Sequence, residues 1–325
     1  MKAMVQDRYG DAGVLELRDV PRPSVGADGV LVRVRAASVN PLDWHFMRGE
    51  PLVMRLAGVG LRRPKRRIQG ADVAGTVEAV GPGVRSLAPG DDVLGWATGG
   101  GFAEYVVVPE DHLVPKPAGL GFEAAGAIAI AGITALQAVR DHGQVGPDTR
   151  VLVVGASGGV GTFAVQIAKT RGAHVTGVCS TRNLELVRSL GADDVLDYTR
   201  GDLSAGGRRF DVVLHVAGDR AIRERLRLVE PDGVLVNVGG GEGGGVVFGP
   251  VRSLVAATVA RPFVRPRVRS FLAAENQADA MELLGLIEEG SVVPVIDRTY
   301  ALVEVPEAIR YVESLRARGK VVVTI

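Results

Sequence analysis

The stretch Val151-Leu-Val-Val-Gly-Ala-Ser-Gly-Gly-Val-Gly161, with Thr162 to Lys169 behind it, limits the possible folds more than any other part of the chain. Val151 to Val154 are β-prone and uninterrupted, which suits a strand covered on both faces. After the glycines, Val160, Phe163, Ala164, Ile167 and Ala168 recur at helical spacing. The turn reads Ala156-x-Gly158-x-x-Gly161, a dinucleotide fingerprint with alanine in the first position. Glycine lets a pyrophosphate approach the backbone, and a helix N-terminus offers unpaired N–H groups and a positive dipole end. The strand before and the helix after are the context such a motif requires. Ala156, Ser157, Gly158, Gly159, Val160 and Gly161 are therefore candidate cofactor contacts. The plainer alternative is a glycine turn that only packs a helix against a sheet.

A chain of 325 residues has room for two domains. A net charge of +1 gives no global pull toward nucleic acid or an anionic membrane. Cys179 is the only cysteine, which excludes an intrachain disulfide and a four-cysteine zinc site. The first residues contain no apolar h-region, so no signal peptide is expected. No apolar run is long enough to span a bilayer. These features lead us to expect a cytoplasmic protein with no membrane or nucleic-acid partner.

Residues 1 to about 115 hold short β-like runs, such as Val30 to Ala36, Ala74 to Val80 and Ala103 to Val108, separated by glycine and proline. From Leu120 to about Gly240 helix and strand patterns alternate. A helix is predicted over Glu123 to His142, then strands at Val151 to Val154, Ala173 to Cys179, Val195-Leu196, Phe210 to His215 and Gly233 to Asn237. This βαβ succession predicts an α/β, doubly wound parallel sheet. Gly239 to Gly245 reads as a loop, Ser253 to Ala260 as a short helix, and Arg267 to Leu272 as an edge strand. A helix over Asn276 to Glu289 and a second near Pro306 to Ala317 lead to a β-rich end. The expected plan is a β-rich domain from 1–116 and 273–325, with a nucleotide-binding domain, 117–272, inserted in it.

In such sheets an acid at the end of the second strand binds the ribose 2′-OH and repels a 2′-phosphate. That strand here ends in Cys179-Ser-Thr-Arg-Asn183, with no acid. Ser180 and Thr181 offer hydroxyls and Arg182 a guanidinium fork, which favours NADP(H). Otherwise Arg182 simply points to solvent. Tyr198, after the third strand, could flank the adenine or the 2′-phosphate. Later strands end at His215-Val-Ala-Gly218 and Val238-Gly-Gly240, where ligands bind in open α/β sheets. Val216, Ala217, Gly239 and Gly240 are therefore placed near the nicotinamide ribose and ring.

Several further motifs, in order, resemble the medium-chain dehydrogenase/reductase superfamily, and its zinc-free quinone oxidoreductase branch in particular. They are Ala36-Ala-Ser-Val-Asn-Pro-Leu-Asp43, Gly70-Ala-Asp-Val-Ala-Gly-Thr-Val77, Pro89-Gly-Asp-Asp-Val93, Gly101-Phe-Ala-Glu-Tyr-Val106, Ala131-Gly-Ile-Thr-Ala135 and the closing Gly319-Lys-Val-Val-Val-Thr-Ile325. The resemblance implies a GroES-like β-rich domain, a Rossmann cofactor domain, an active site in the cleft between them, and a homodimer. It also implies that Thr134 contacts the nicotinamide end, unless its hydroxyl only bonds back along its helix; Lys320 is a further candidate for the cofactor cleft. Where zinc-dependent relatives carry a cysteine ligand, this chain has Asn40, and their Gly-His-Glu is Gly70-Ala71-Asp72. The five histidines are scattered without a ligand-like pair. No zinc is expected.

Without a metal, simple alcohol oxidation lacks its Lewis acid. Hydride transfer from NADPH to a quinone or an α,β-unsaturated carbonyl remains open. Asn40 is the candidate catalytic residue, its amide N–H placed to donate to a substrate carbonyl or the nicotinamide ribose, unless it only sets the turn before Pro41. Asp43 and His45 are the nearby candidates for an acid, each read as an ordinary surface or turn residue; solvent is expected to supply the proton. The basic run Arg62-Arg-Pro-Lys-Arg-Arg67, and Arg261, Arg265, Arg267 and Arg269, read as solvated loops; the sharper alternatives are a patch for nucleic acid or an acidic partner and, for the first run just before Gly70, a border of the substrate cleft that favours an anionic substrate. Two rival readings remain. One is a zinc-free carbonyl reductase or alcohol dehydrogenase. The other is a non-enzymatic NADPH-binding protein that contacts RNA or a partner.

Overall fold

A computed structural model of the chain describes residues 1–204, 207–218, 220–238 and 265–325. Two compact bodies are present. The first comprises Met1–Ile133, Glu275–Glu288 and Pro294–Ile325; the second comprises Thr134–Ala274 and Glu289–Val293.

The first body starts with the ribbon β1 (Lys2–Val5) and β2 (Glu16–Asp19). Next come β3 (Gly29–Val39), helix α1 (Pro41–Arg48), β4 (Asp72–Val80), β5 (Asp92–Trp96), β6 (Tyr105–Pro109) and β7 (Leu113–Pro115). Valines of β3, β4, β5 and β6 interdigitate in a buried core that includes Val32, Val73, Val93 and Val108. The sequence suggests one helix from Glu123 to His142, but it is broken into α2 (Phe122–Ala125) and α3 (Ala129–Gln137), followed by a wider turn over Ala138–His142. Gly126 marks the break because a Cβ there would lie 3.0 Å from the backbone of Ala36. This close packing also holds residues 117–133 in the first body, so the division falls after Ile133 rather than near residue 116.

The second body contains β8 (Arg150–Val154), α4 (Gly159–Thr170), β9 (His174–Cys179), α5 (Leu184–Ser189), β10 (Asp194–Asp197), β11 (Phe210–His215), α6 (Ile222–Arg227), β12 (Val229–Val238) and β13 (Arg267–Phe271). All six strands are parallel, in the order β10-β9-β8-β11-β12-β13. Chain order therefore reverses between β8 and β11, the switch point at which open α/β sheets bind ligands. The expected edge strand near Arg267 is found as β13. Gln166 of α4 pairs both ways with the backbone of Val293, at 3.0 and 2.9 Å, which holds residues 289–293 in this body.

The chain then returns to the first body through α7 (Gln277–Glu288), β14 (Ile296–Ala301), α8 (Val305–Glu313) and β15 (Lys320–Thr324). Its main sheet runs β14-β15-β3-β4-β5-β7, with β6 also paired to β3. The GroES-like β-rich fold and the Rossmann sheet are thus both present. Among the described residues no helix is long and apolar enough to cross a membrane. Gly239, Gly240, Arg261 and the expected helix over Ser253 to Ala260 lie outside the described residues.

Candidate active site

In the first body, β3, β4 and β15 bring together a knot of buried polar side chains. Asp72, which opens β4, is its hub. One carboxylate oxygen accepts from the Ile130 amide at 2.8 Å. The other accepts from Asn40 Nδ2 at 2.8 Å, from Lys320 Nζ at 3.2 Å and from the Ser38 hydroxyl. Lys320 Nζ also donates to Asn40 Oδ1 at 2.6 Å. Asp72, Asn40 and Lys320 are 0, 4 and 3% exposed, so each depends on the others to replace lost water.

The structure therefore brings together Asn40 and Lys320, which the sequence marked separately, but in a different role. Asn40 Nδ2 is directed at Asp72 and, at 3.4 Å, at the Ser38 carbonyl. Its N–H groups are already committed, which removes the expected donation to a substrate carbonyl. Lys320 is held in the same way by Asn40 and Asp72. Asn40 does set the turn: it caps α1, where its backbone N–H donates to Asp43 at 2.7 Å. The other Asp43 oxygen accepts from the Gly70 amide at 3.0 Å. Asp43 is thus no ordinary surface residue. Burial pushes its carboxyl up to about 7, against the pull of those two backbone N–H groups. His45 meets the Glu50 carbonyl at 2.9 Å, and burial holds its pKa below the usual histidine range.

In the second body, the turn from β8 into α4 has the features of a phosphate cradle. Gly155 has φ of +87°, and a Cβ there would lie 2.7 Å from Ala217, so the loops after β8 and β11 touch at the switch point. A Cβ on Gly161 would stand 2.0 Å from the Gly155 carbonyl oxygen, whereas one on Gly158 would meet only that oxygen, at 3.5 Å. Gly161 therefore serves close packing, while Gly158 faces open space. The Gly159, Val160 and Gly161 amides have no acceptor among the described residues. Alanine fits at the first fingerprint position because Gly177 of β9 stands opposite the buried Ala156. The Ser157 hydroxyl accepts from Asn183 at 2.9 Å, which ties this turn to the one after β9.

Ser180 and the exposed Thr181 and Arg182 follow β9, and the half-exposed Tyr198 follows β10. Sequence reasoning missed Asp197, which ends β10 in register with Cys179. Its carboxylate accepts from the hydroxyls of Thr181 and Thr199, and those bonds hold it below the usual carboxylate range. Burial pushes the Cys179 thiol up to about 11, consistent with an inert sulfur.

Val216 and Ala217 lie in the turn after β11, bonded to the Val154 carbonyl at 3.0 and 3.3 Å. His215 itself is buried in register with Asn237, and Asn237 with Ser270. Burial lowers its pKa to about 3, so the ring is neutral at physiological pH. Thr134 is half-buried on α3. Asp72, an acid directly ahead of the apolar Val73 and Ala74 in β4, was the available signal for the polar knot.

Two family models match the chain: an alcohol dehydrogenase GroES-like domain over residues 26–118 and a zinc-binding dehydrogenase domain over residues 190–323. The chloroplastic quinone-oxidoreductase QR1 of Triphysaria versicolor is 33% identical, with 99% of this chain and 98% of that protein covered. The mitochondrial NAD(P)H oxidoreductase RTN4IP1 of Mus musculus is 34% identical, with coverage of 100% and 89%. Among solved structures, the quinone oxidoreductase from Coxiella burnetii superposes with a TM-score of 0.87 at 29% identity, covering 100% of this chain and 99% of that one. The second family model carries zinc in its description, but the described residues do not fit that ion. Among the described residues no three His, Cys, Asp or Glu side chains converge. Moreover, the Lys320 ammonium already binds the Asn40 and Asp72 oxygens that a cation would need.

Proposed function

The chain belongs to the medium-chain dehydrogenase/reductase superfamily, in its quinone-oxidoreductase-like branch, and we propose that it transfers a hydride from NADPH to a quinone or an α,β-unsaturated carbonyl without a metal. The observation that carries this reading is the set of amides at Gly159, Val160 and Gly161, without an acceptor among the described residues, at the switch point of a parallel sheet. They would bind the pyrophosphate. Ser180 and Arg182 would take the 2′-phosphate, and the nicotinamide, once bound, supplies the hydride.

The polar knot does not replace zinc as a Lewis acid. Its ammonium is buried and spent on Asn40 and Asp72, so an acceptor must already be electron-poor, as quinones and enones are. The knot holds the ends of β3, β4 and β15 in fixed register, while solvent supplies the proton to the reduced product. In this reading the working form is a cytoplasmic homodimer with no nucleic-acid partner.

An acceptor panel tests the proposal. With NADPH present, an ortho-quinone and a simple enone should be turned over and a saturated ketone should not. Turnover of the ketone alone would assign the chain to carbonyl reduction. Tight NADPH binding with no turnover of any acceptor would leave a binding protein.

A further inference from the structure

Between Pro51 and Ile68 the chain carries Arg55, Arg62, Arg63, Lys65, Arg66 and Arg67 and no acidic residue, although the whole protein is nearly neutral. The structure shows what becomes of these cations. Arg55 is an anchor: it donates to the carbonyls of Gly49 and Arg48, at 2.9 and 3.0 Å, and stacks over Tyr9. Arg67 is paired with Asp7, and Arg66 lies over the Phe46 ring. Arg62, Arg63 and Lys65 are exposed and have no acidic partner among the described residues. They sit on a loop closed by the Lys65 amide bonding to the Val59 carbonyl at 2.9 Å, and pinned by the Tyr9 hydroxyl on the Gly60 carbonyl at 2.6 Å.

The same loop exposes leucines. Leu56 is 77% and Leu61 63% exposed, and Leu52 just before them is exposed as well. Sequence patterning showed the charge but could not show that these apolar side chains stay out of the core. A lone exposed leucine needs no explanation, but exposed leucines on the same loop as three cations that have no acidic partner among the described residues give that loop two kinds of affinity.

We propose that the 52–65 loop is a reversible docking surface for an anionic lipid bilayer. Headgroup phosphates and carboxylates complement Arg62, Arg63 and Lys65, and Leu56 and Leu61 enter the acyl boundary beneath them. An RNA would answer the cations but leave the leucines unused, and the loop carries no aromatic ring for base stacking. This replaces the expectation of no membrane contact, which rested on the near-neutral net charge and the lack of a spanning segment, neither of which registers a local basic and apolar loop. It does not depend on the redox reaction.

The test is flotation of the whole protein with phosphatidylcholine vesicles, with and without a third phosphatidylserine. Binding is expected only to the mixed vesicles, weakening as salt rises. Arg62→Gln, Arg63→Gln and Lys65→Gln together should lower partitioning on the order of a hundredfold. Leu56→Ser with Leu61→Ser should lower it by roughly tenfold or more at unchanged charge. Unchanged thermal unfolding of both variants keeps the comparison free of folding defects. No partition into the mixed vesicles would overturn the proposal, as would binding indifferent to the leucines. A single-stranded RNA that binds the leucine variant as well as the wild type and displaces the vesicles would overturn it too.

Discussion

Lys320 and Asp72 form a buried ion pair completed by Asn40, and its members are not separable. Such a pair adds little stability over an apolar replacement, but removing one partner strands a buried charge. Lys320→Met should cost about 3–5 kcal/mol in urea unfolding. Adding Asp72→Asn to it should cost less than the two single changes summed, because the stranded charge is gone. Additive losses would show that the two side chains do not interact. Asp43 makes a pH-dependent prediction. Its folded pKa of about 7 lies above the ordinary 3.8, so the folded chain keeps a proton that the unfolded chain has released. The stability this contributes is full below 3.8 and is lost as pH rises through about 7. The urea midpoint of wild type should therefore fall relative to that of Asp43→Asn between pH 5 and 8, and parallel profiles would remove the claim. Asn40 and Lys320 were legible as residues of interest. Their joint role was not, because it depends on three strands far apart in sequence ending side by side.

At the scale of elements, the β8–turn–α4 unit was the most legible part of the chain, because its pattern and its glycines agree. The glycines differ in duty, and that difference can be measured. Gly161→Ala places a Cβ on the Gly155 carbonyl and should cost about 1–3 kcal/mol of stability. Gly158→Ala meets only a 3.5 Å contact, so it should leave stability nearly unchanged and weaken NADPH binding. Equal loss of stability in both would contradict the assignment. Ser180→Ala with Arg182→Ala should raise KM for NADPH by about tenfold or more and spare NADH. A parallel rise for both nucleotides would take the 2′-phosphate away from these residues. The Glu123–His142 prediction missed the break at Gly126, because close approach to Ala36 is a tertiary fact with no local signature. The helix predicted to Ala317 ends at Glu313, and Leu315 takes a positive φ of 58°. Asp197 escaped notice because only strand register brings the end of β10 beside the end of β9.

For the whole molecule, alternating patterns were enough to predict a β-rich fold and a parallel sheet, because each depends on periodicity repeated over many residues. Where one body gives way to the other was harder to read, since packing on the β-sheet decides where residues 117–133 belong. The substrate was not legible, because no single motif encodes the wall that would select it. Metal-free hydride transfer from NADPH can be examined on metal-stripped protein. The rates of NADPH and NADH oxidation with an ortho-quinone should be compared side by side, before and after zinc is added. Turnover with NADPH, little with NADH and no response to zinc are expected. Preference for NADH, or activity that appears only once zinc is added, would contradict metal-free transfer from NADPH.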